Sequence, residues 1–124
     1  MDGKDGADIL VGGAGSNTYI FRAGDVDANE VAILSGAKDI FNVVTNTDFS
    51  LMNGGLVITG LDEVNLAQGK DAFFKSAQLS GLTIAVNGTA DNVVESLFIG
   101  SSAADSTINL TNFTLAHVSC TVIG

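Results

Sequence analysis

The chain has 124 residues, of which 46% are hydrophobic and only 15% are charged. This composition fits one domain with a modest core and excludes a disordered chain. The net charge of −9 repels phosphate backbones and anionic lipid surfaces, so we expect no nucleic-acid partner and no membrane insertion. No apolar run approaches the ~18 residues that a membrane span needs, and the single cysteine excludes an intramolecular disulfide.

Along the chain, short apolar runs alternate with Gly, Asn, Asp or Ser. In order they are DILV, TYIF, EVAIL, DIFNVV, GLVITGL, EVNLA, LTIAV, NVVESLFI, TINLTNFTL and AHVSCTVI. Runs of this length, bounded by turn residues, are typical of β-strands. Only residues 72–79 (AFFKSAQL) suggest a short helix. The sequence therefore predicts an all-β protein.

An irregular repeat runs through these segments. A small or polar residue and then Asp or Asn precede the apolar run, as in ADILV (7–11), KDIFNV (38–43) and ADNVV (90–94). Recurrence with variable spacing indicates a solenoid whose loops differ in length. We predict a right-handed parallel β-solenoid that forms one continuous domain.

Residues 3–11 (GKDGADILV) and 12–20 (GGAGSNTYI) are two adjacent nonapeptides. Both fit the pattern G-G-x-G-x-D-x-U-x, in which U is a large apolar residue, with Lys4 in place of the second glycine and Asn17 in place of the aspartate. The pattern resembles the calcium-binding repeat of the RTX (repeats-in-toxin, hemolysin-type) family. The resemblance implies a short β-roll over residues 1–30, continuing as an irregular β-helix over residues 31–124.

The chemistry of such repeats is that of a hard cation. Glycines let the turn adopt left-handed backbone conformations, and Ca²⁺ takes 6–8 oxygens from carboxylates and backbone carbonyls. The resemblance implies that two nonapeptides form one coil and that calcium lies between turns of successive coils. A full site then needs a further contributor, either Asp25 and Asp27 or coils upstream of residue 1. The candidate calcium-site residues are Gly3, Asp5, Gly6, Asp8, Gly13, Gly15, Asn17, Asp25 and Asp27.

The alternative for these turns is that they hold no metal and that Asp25 and Asp27 are ordinary turn residues. For four acids further along, capping of turn N–H groups is the better interpretation. These are Asp39, Asp71, Asp91 and Asp105.

No catalytic constellation stands out. His117 and Cys120 lie three apart in what reads as one strand, where they would face opposite sides. Asp62 and Glu63 are adjacent, so they would also point apart and would not form a glycosidase-type carboxylate pair. We therefore expect a protein that is not an enzyme.

The segment 55–115 resembles bacterial surface-layer and RTX-type exported proteins, which carry a G-[IL]-[DE]-x-[LV]-N-L signature; here it reads GLDEVNL (60–66). Together the two resemblances imply a calcium-binding structural module of an exported bacterial protein, extracellular or on the cell surface, and a type I secretion route. Among acidic and basic side chains, residues 76–124 contain only three acids and one histidine. This low content of charge favours the alternative of a self-assembly or adhesion module that forms homo-oligomers. A second alternative is the targeting module of an exported enzyme. A threonine-rich ice-binding face is disfavoured, because the threonines keep no regular Thr-x-Thr spacing.

Overall fold

A computed structural model describes residues 1–52, 60–100 and 108–124, and the backbone of residues 56–57. The described residues form twelve strands, one 3₁₀ turn (Phe49–Leu51) and one short helix, α1 (Ser76–Leu79). The strands are β1 (Ile9–Val11), β2 (Ser16–Phe21), β3 (Val31–Ile33), β4 (Lys38–Val43), β5 (Thr47–Asp48), β6 (Leu56–Val57), β7 (Leu61–Leu66), β8 (Asp71–Lys75), β9 (Ile84–Asn87), β10 (Glu95–Gly100), β11 (Phe113–Ala116) and β12 (Val118–Ile123).

Every described strand pair is parallel, and the strands form three sheets. Their orders are β1-β3-β6, β2-β4-β7-β9-β11 and β5-β8-β10-β12. Each sheet takes strands from successive passes of the chain, so the chain winds about four turns as a β-solenoid. The predicted all-β parallel solenoid is confirmed, and its right-handedness stays a prediction. Strands before and after residue 30 share the first two sheets, because β1 pairs with β3 and β2 with β4.

The strand register shows how much of the chain each coil uses. Ile9 pairs with Val31 and Ser16 with Lys38. The two pairs have the same separation in sequence, so the first coil uses the same length of chain whether it is measured in the first sheet or in the second. The last step in the sheet of β2, from Ile84 to Phe113, is longer. The first coil itself exceeds two nonapeptides, because the loop of residues 22–30 lies between β2 and β3.

In the strands whose side chains the structure describes, alternate side chains point into a continuous apolar interior. At its centre Phe49 packs against three other aromatic rings, with centroid distances of 4.8 Å to Phe21, 5.2 Å to Phe41 and 4.5 Å to Phe74. All four side chains are buried. Because these rings come from three successive coils, the aromatic stack joins the coils along the solenoid axis.

Polar side chains on the outer face also join the coils. Asn42, Asn65 and Asn87 occupy one register position of β4, β7 and β9. The Asn65 amide donates to Asn42 Oδ1 at 3.3 Å, and the Asn87 amide donates to Asn65 Oδ1 at 3.0 Å. This asparagine ladder satisfies side-chain amides between parallel strands and favours the observed register over a slipped one.

Two of the acids expected to cap turns do so. Asp39 Oδ2 accepts from the Gly36 N–H at 2.9 Å, and Asp91 Oδ1 from the Val93 N–H at 2.7 Å. Asp71 instead accepts from the N–H of Ser96 at 3.0 Å, and Ser96 lies in strand β10 of the neighbouring coil rather than in a turn. The prediction of capping is confirmed for Asp39 and Asp91 and is wrong for Asp71. Asp105 lies outside the described residues.

Two local predictions were wrong. Residues 72–79 are not one helix, because Asp71–Lys75 is strand β8, paired with β5 and β10, and only Ser76–Leu79 is helical. Burial between two neighbouring strands overrides the local helix propensity there. His117 does not lie within a strand but at the corner between β11 and β12, with a left-handed φ of 58°.

Glu95 is a buried charged residue that ties two loops to β10. Its carboxylate accepts from the Gly69 N–H at 2.7 Å, the Thr89 N–H at 2.9 Å and the Thr89 hydroxyl at 3.0 Å. The Gly69 hydrogen bond is the main reason that the pKa of Glu95 lies below its ordinary value of 4.5, and the bonds from Thr89 add to it. The ionised carboxylate is therefore the form that the fold requires.

This environment predicts an acid-sensitive fold. A carboxyl group whose pKa is lower in the folded state adds stability above its unfolded pKa, and that stability is lost as the pH falls through the folded pKa. We expect the urea midpoint to fall as the pH drops below 4.5. Glu95→Gln should make the urea midpoint less dependent on pH, because glutamine does not titrate. It should also destabilise the protein at neutral pH, because the new amide N–H₂ then faces a backbone N–H donor.

Glu63→Gln is the comparison for this experiment. Glu63 forms an ion pair with Lys38 at 2.8 Å on the surface, and the bond from Lys38 is the main reason its pKa is lowered. Surface pairs of this kind contribute about 0–1 kcal/mol and are screened by salt. The loss in Glu63→Gln should therefore be small and salt-sensitive. An unchanged pH dependence in Glu95→Gln would show that Glu95 is not the titrating group.

Candidate metal centre

The two nonapeptides repeat in backbone conformation as well as in sequence. Gly13 and the residue nine positions earlier, Lys4, have φ values of 71° and 69°. Gly15 and its counterpart Gly6 have φ values of 91° and 120°. Lys4 therefore keeps the left-handed backbone that the pattern assigns to glycine, despite the strain that a side chain brings. The departure from the pattern at Lys4 changes the side chain and not the turn.

The first glycine of each repeat makes room for its sixth residue. A Cβ atom on Gly3 would lie 2.8 Å from Asp8 Oδ2, and one on Gly12 would lie 2.7 Å from Asn17 Nδ2. In both repeats the polar side chain thus folds back over the start of its own turn. Asp8 and Asn17 occupy equivalent places, one a carboxylate and the other an amide.

In the second repeat, the amide group of Asn17 joins two oxygens. Its Nδ2 donates to the Gly13 carbonyl at 3.1 Å and to Asp39 Oδ1 at 2.8 Å. Asp39 is fully buried and pairs with Asn17 in the strand register, one coil further on. The positive end of the amide therefore lies between a turn carbonyl and a carboxylate of the next coil.

In the first repeat, a carboxylate (Asp8) occupies the position of the Asn17 amide, and a second carboxylate (Glu30) occupies the position of Asp39. Glu30 follows Asp8 at the same separation in sequence as Asp39 follows Asn17, and its Oε2 accepts from the Asp8 N–H at 3.0 Å. Asp8 Oδ2 is buried and has no hydrogen-bond partner. The turn carbonyl equivalent to that of Gly13 belongs to Lys4. The positive group that Asn17 supplies in one repeat is missing from the other.

The electrostatics at Glu30 are those of an unneutralised acidic cluster. Its side chain is 1% exposed. Burial is the main reason that its pKa lies above the ordinary 4.5, and the charges of Asp8, Asp27 and Asp25 raise it further. A cation at this position would offset both the burial of the charge and the repulsion among the acids.

The other predicted ligands do not join this pair. Asp5 and Asp25 line a surface depression of about 580 Å³, together with Asp2, Lys4, Arg22 and Ala23. Asp25 Oδ2 accepts from the Arg22 N–H at 2.7 Å, so the carboxylate caps a turn. Asp27 Oδ1 likewise accepts from the Asn29 N–H at 2.7 Å. The negative charges of Asp25 and Asp27 nevertheless raise the pKa of Glu30.

The donors of the first repeat fit a hard cation better than a soft one. By their positions in the repeat, they are the carboxylates of Asp8 and Glu30 and the turn carbonyl of Lys4, which suit Ca²⁺ rather than zinc. Within residues 1–52, 60–100 and 108–124, no three acidic, histidine or cysteine side chains converge closely enough to hold a metal ion. Carbonyl and water oxygens would have to complete the coordination. The buried oxygen of Asp8, which lacks a partner, is the observation that favours the fit.

Comparison with known proteins gives no match to a family model, to a curated protein sequence or to a solved structure. No helix in the described part of the chain is long and apolar enough to cross a membrane.

Sequence reasoning missed Glu30 as a site residue. The signal that could have found it is the match of DILV, which Asp8 opens, to EVAIL, which Glu30 opens. The two runs are β1 and β3 with the residue before each, and they are in register in the sheet. Recognising this requires the length of the first coil, which the nonapeptide spacing does not indicate.

Proposed function

We propose that the chain is a non-enzymatic structural module that binds calcium at its N-terminal coil. Asp8 and Glu30 would supply the carboxylates, with the turn carbonyl of Lys4 beside them. The ion would join the first coil to the second and stiffen the N-terminal end of the solenoid. The observation that carries this proposal is the buried, unpartnered Oδ2 of Asp8, beside the buried Glu30.

The comparison between the two repeats supports the proposal. In the second repeat an amide N–H₂ lies between a carbonyl and a carboxylate of the next coil. In the first repeat the corresponding positions offer only oxygens, so a cation would have the role of that amide. Because Ca²⁺ accepts irregular sets of carboxylate, carbonyl and water oxygens, it is the metal that this donor set favours.

The cellular setting follows from the resemblance to RTX-type and surface-layer proteins, and we propose an exported bacterial protein on these grounds. Calcium is abundant outside cells and scarce in the cytosol, so the N-terminal coil would stiffen only after export. A ligand that binds only the folded state stabilises it by about 2.7 kcal/mol at ~100 times its dissociation constant. Such an increment would favour folding on the outer side of the membrane.

The test is thermal unfolding, followed by circular dichroism, in calcium and in EGTA. We expect calcium to raise the melting temperature of the natural chain. Asp8→Asn should abolish this rise, and it should also stabilise the calcium-free protein by about 1–3 kcal/mol, because it removes a buried carboxylate oxygen that has no partner and a negative charge beside Glu30. A variant that is more stable without calcium and indifferent to calcium cannot be explained by misfolding.

Asp91→Asn is the control. Asp91 also caps a turn, accepting from Val93 at 2.7 Å, but it lies far along the chain from the first repeat. This variant should keep the full response to calcium. Equal melting temperatures of the natural chain in calcium and EGTA, or a full calcium response in Asp8→Asn, would refute the site.

A further inference from the structure

The last coil exposes side chains that every earlier coil buries. Leu115 and Val122 pair in register with the buried Val86 and Ile99, yet they are 42% and 47% exposed. Three more side chains of this coil are half-buried against the core: Phe113, Val118 and Cys120. Together these five residues form an apolar face at the C-terminal end of the solenoid, here called the end face.

The backbone of the end face, along β11 and residues 118–122 of β12, has a described neighbouring strand on one side only. β11 and β12 are the outermost strands of their sheets in the described chain, and they pair only with β9 and β10. Such an edge presents a row of free N–H and C=O groups, which another strand can pair with. Apolar side chains and free backbone groups on the same edge are what a further layer of strands would cover.

The opposite end of the solenoid is covered along β2. Leu10, Tyr19 and Phe21 of the first coil are buried. Met1 lies along the free edge of β2, where its carbonyl accepts from the Ile20 N–H at 2.7 Å and its amino group donates to the Thr18 carbonyl. Head-to-tail stacking of copies would have to displace this segment.

Charge favours a second copy of this chain as the partner. The chain carries a net charge of −9, so most pairs of its surfaces repel each other. Residues 108–124 contain no Asp, Glu, Lys or Arg, and His117 is their only titratable side chain apart from Cys120. Two end faces can therefore meet without bringing acidic groups together.

We propose that two copies associate through their end faces about a twofold axis. The axis reverses the direction of the partner chain, so the outermost strands of the two copies pair antiparallel. The same patch is used on both sides, as in an isologous interface. Because an interface of this kind occupies the only end face of each copy, the assembly stops at two copies. The proposal does not depend on calcium.

A second exposed apolar surface provides the matched control. Ile9, Val11 and Ile33 are 71%, 54% and 38% exposed on the outer side of the first sheet, near the opposite end. A lysine at Val11 adds the same charge as a lysine at Val122, and the natural residue is about as exposed. The pair thus separates an effect of the end face from a general effect of charge or surface hydrophobicity.

The experiment is sedimentation equilibrium of the natural chain and its variants in EGTA, from micromolar to submillimolar concentration. The natural chain should approach twice its mass of 12.6 kDa and go no higher. Val122→Lys and Leu115→Lys should remain monomeric, and Val11→Lys should dimerise like the natural chain. In the natural chain, maleimide labelling of Cys120 should slow as the concentration rises, because dimerisation covers this thiol.

Several outcomes would overturn the proposal. A natural chain that stays monomeric throughout would leave the end face to further coils of a longer chain or to another protein. Loss of the dimer in Val11→Lys alone would place the interface on the first sheet. Mass that increases beyond two copies would contradict an interface that closes about a twofold axis. The labelling measurement needs no variant, so it decides the matter even if the lysine variants fail to fold.

Discussion

Replacing Phe49 by alanine should lower the free energy of unfolding by about 3–5 kcal/mol. Phe49 is fully buried, and its ring lies within 5.2 Å, between centroids, of three other buried aromatic rings. Removing it leaves a cavity where three coils meet. Parallel strands on all sides hold the surrounding backbone, so the cavity can collapse only partly. For a domain of this size, that loss is a large part of the total stability.

Urea denaturation of Phe49→Ala, with Phe73→Ala as control, measures this effect. Phe73 is also a phenylalanine, but it lies half-buried on the outer side of β8, where its ring would contact a Cβ at Gly100. Phe73→Ala should cost clearly less than Phe49→Ala. Equal losses in the two variants would mean that the ring of Phe49 in the aromatic stack contributes no more to stability than the half-buried ring of Phe73.

Substitution of Gly36 by alanine should have the second-largest effect. A Cβ atom there would lie 2.2 Å from the Gly15 carbonyl oxygen, and this obstacle is backbone rather than a mobile side chain. The same carbonyl accepts from the Ala37 N–H at 2.7 Å. The added methyl group must therefore push the second coil away from the first, and forced overpacking of this kind costs about 1–3 kcal/mol or more.

Hydrogen exchange at the amides of Ala37 and Lys38, which both donate to the Gly15 carbonyl, reports directly on this contact. In Gly36→Ala these amides should exchange faster, and the urea midpoint should fall. Ser35→Ala changes the exposed neighbouring residue and should leave both measurements nearly unchanged. Normal exchange rates in Gly36→Ala would show that this turn accommodates the methyl group without moving the two coils apart.

The architecture could be predicted because its signals are local. Turn residues followed by short apolar runs mark strands wherever they occur, and their irregular recurrence favours a solenoid over a hairpin sandwich. The helix predicted over residues 72–79 failed because pairing with two neighbouring strands is not visible in a local pattern. The length of the first coil also could not be predicted, since the loop after β2 carries no repeat.

The candidate site was predictable in its turns and only partly in its ligands. The left-handed conformations of Gly6, Gly13 and Gly15 follow directly from the nonapeptide pattern. The partner of Asp8 does not, because Glu30 is brought to it by the register between coils. The sequence predicts Asp25 as a ligand, and in the structure its Oδ2 accepts from the Arg22 N–H in the turn after β2.

The stacking of each coil on its predecessor has a consequence for how the molecule comes apart. In a solenoid, stability is close to a sum of terms for each repeat and for each junction between neighbours. The junctions here are unequal: the middle ones contain the aromatic stack, whereas the last one joins a coil whose inward side chains are partly exposed. Unfolding of a single copy should therefore start at the C-terminal coil and advance towards the aromatic stack.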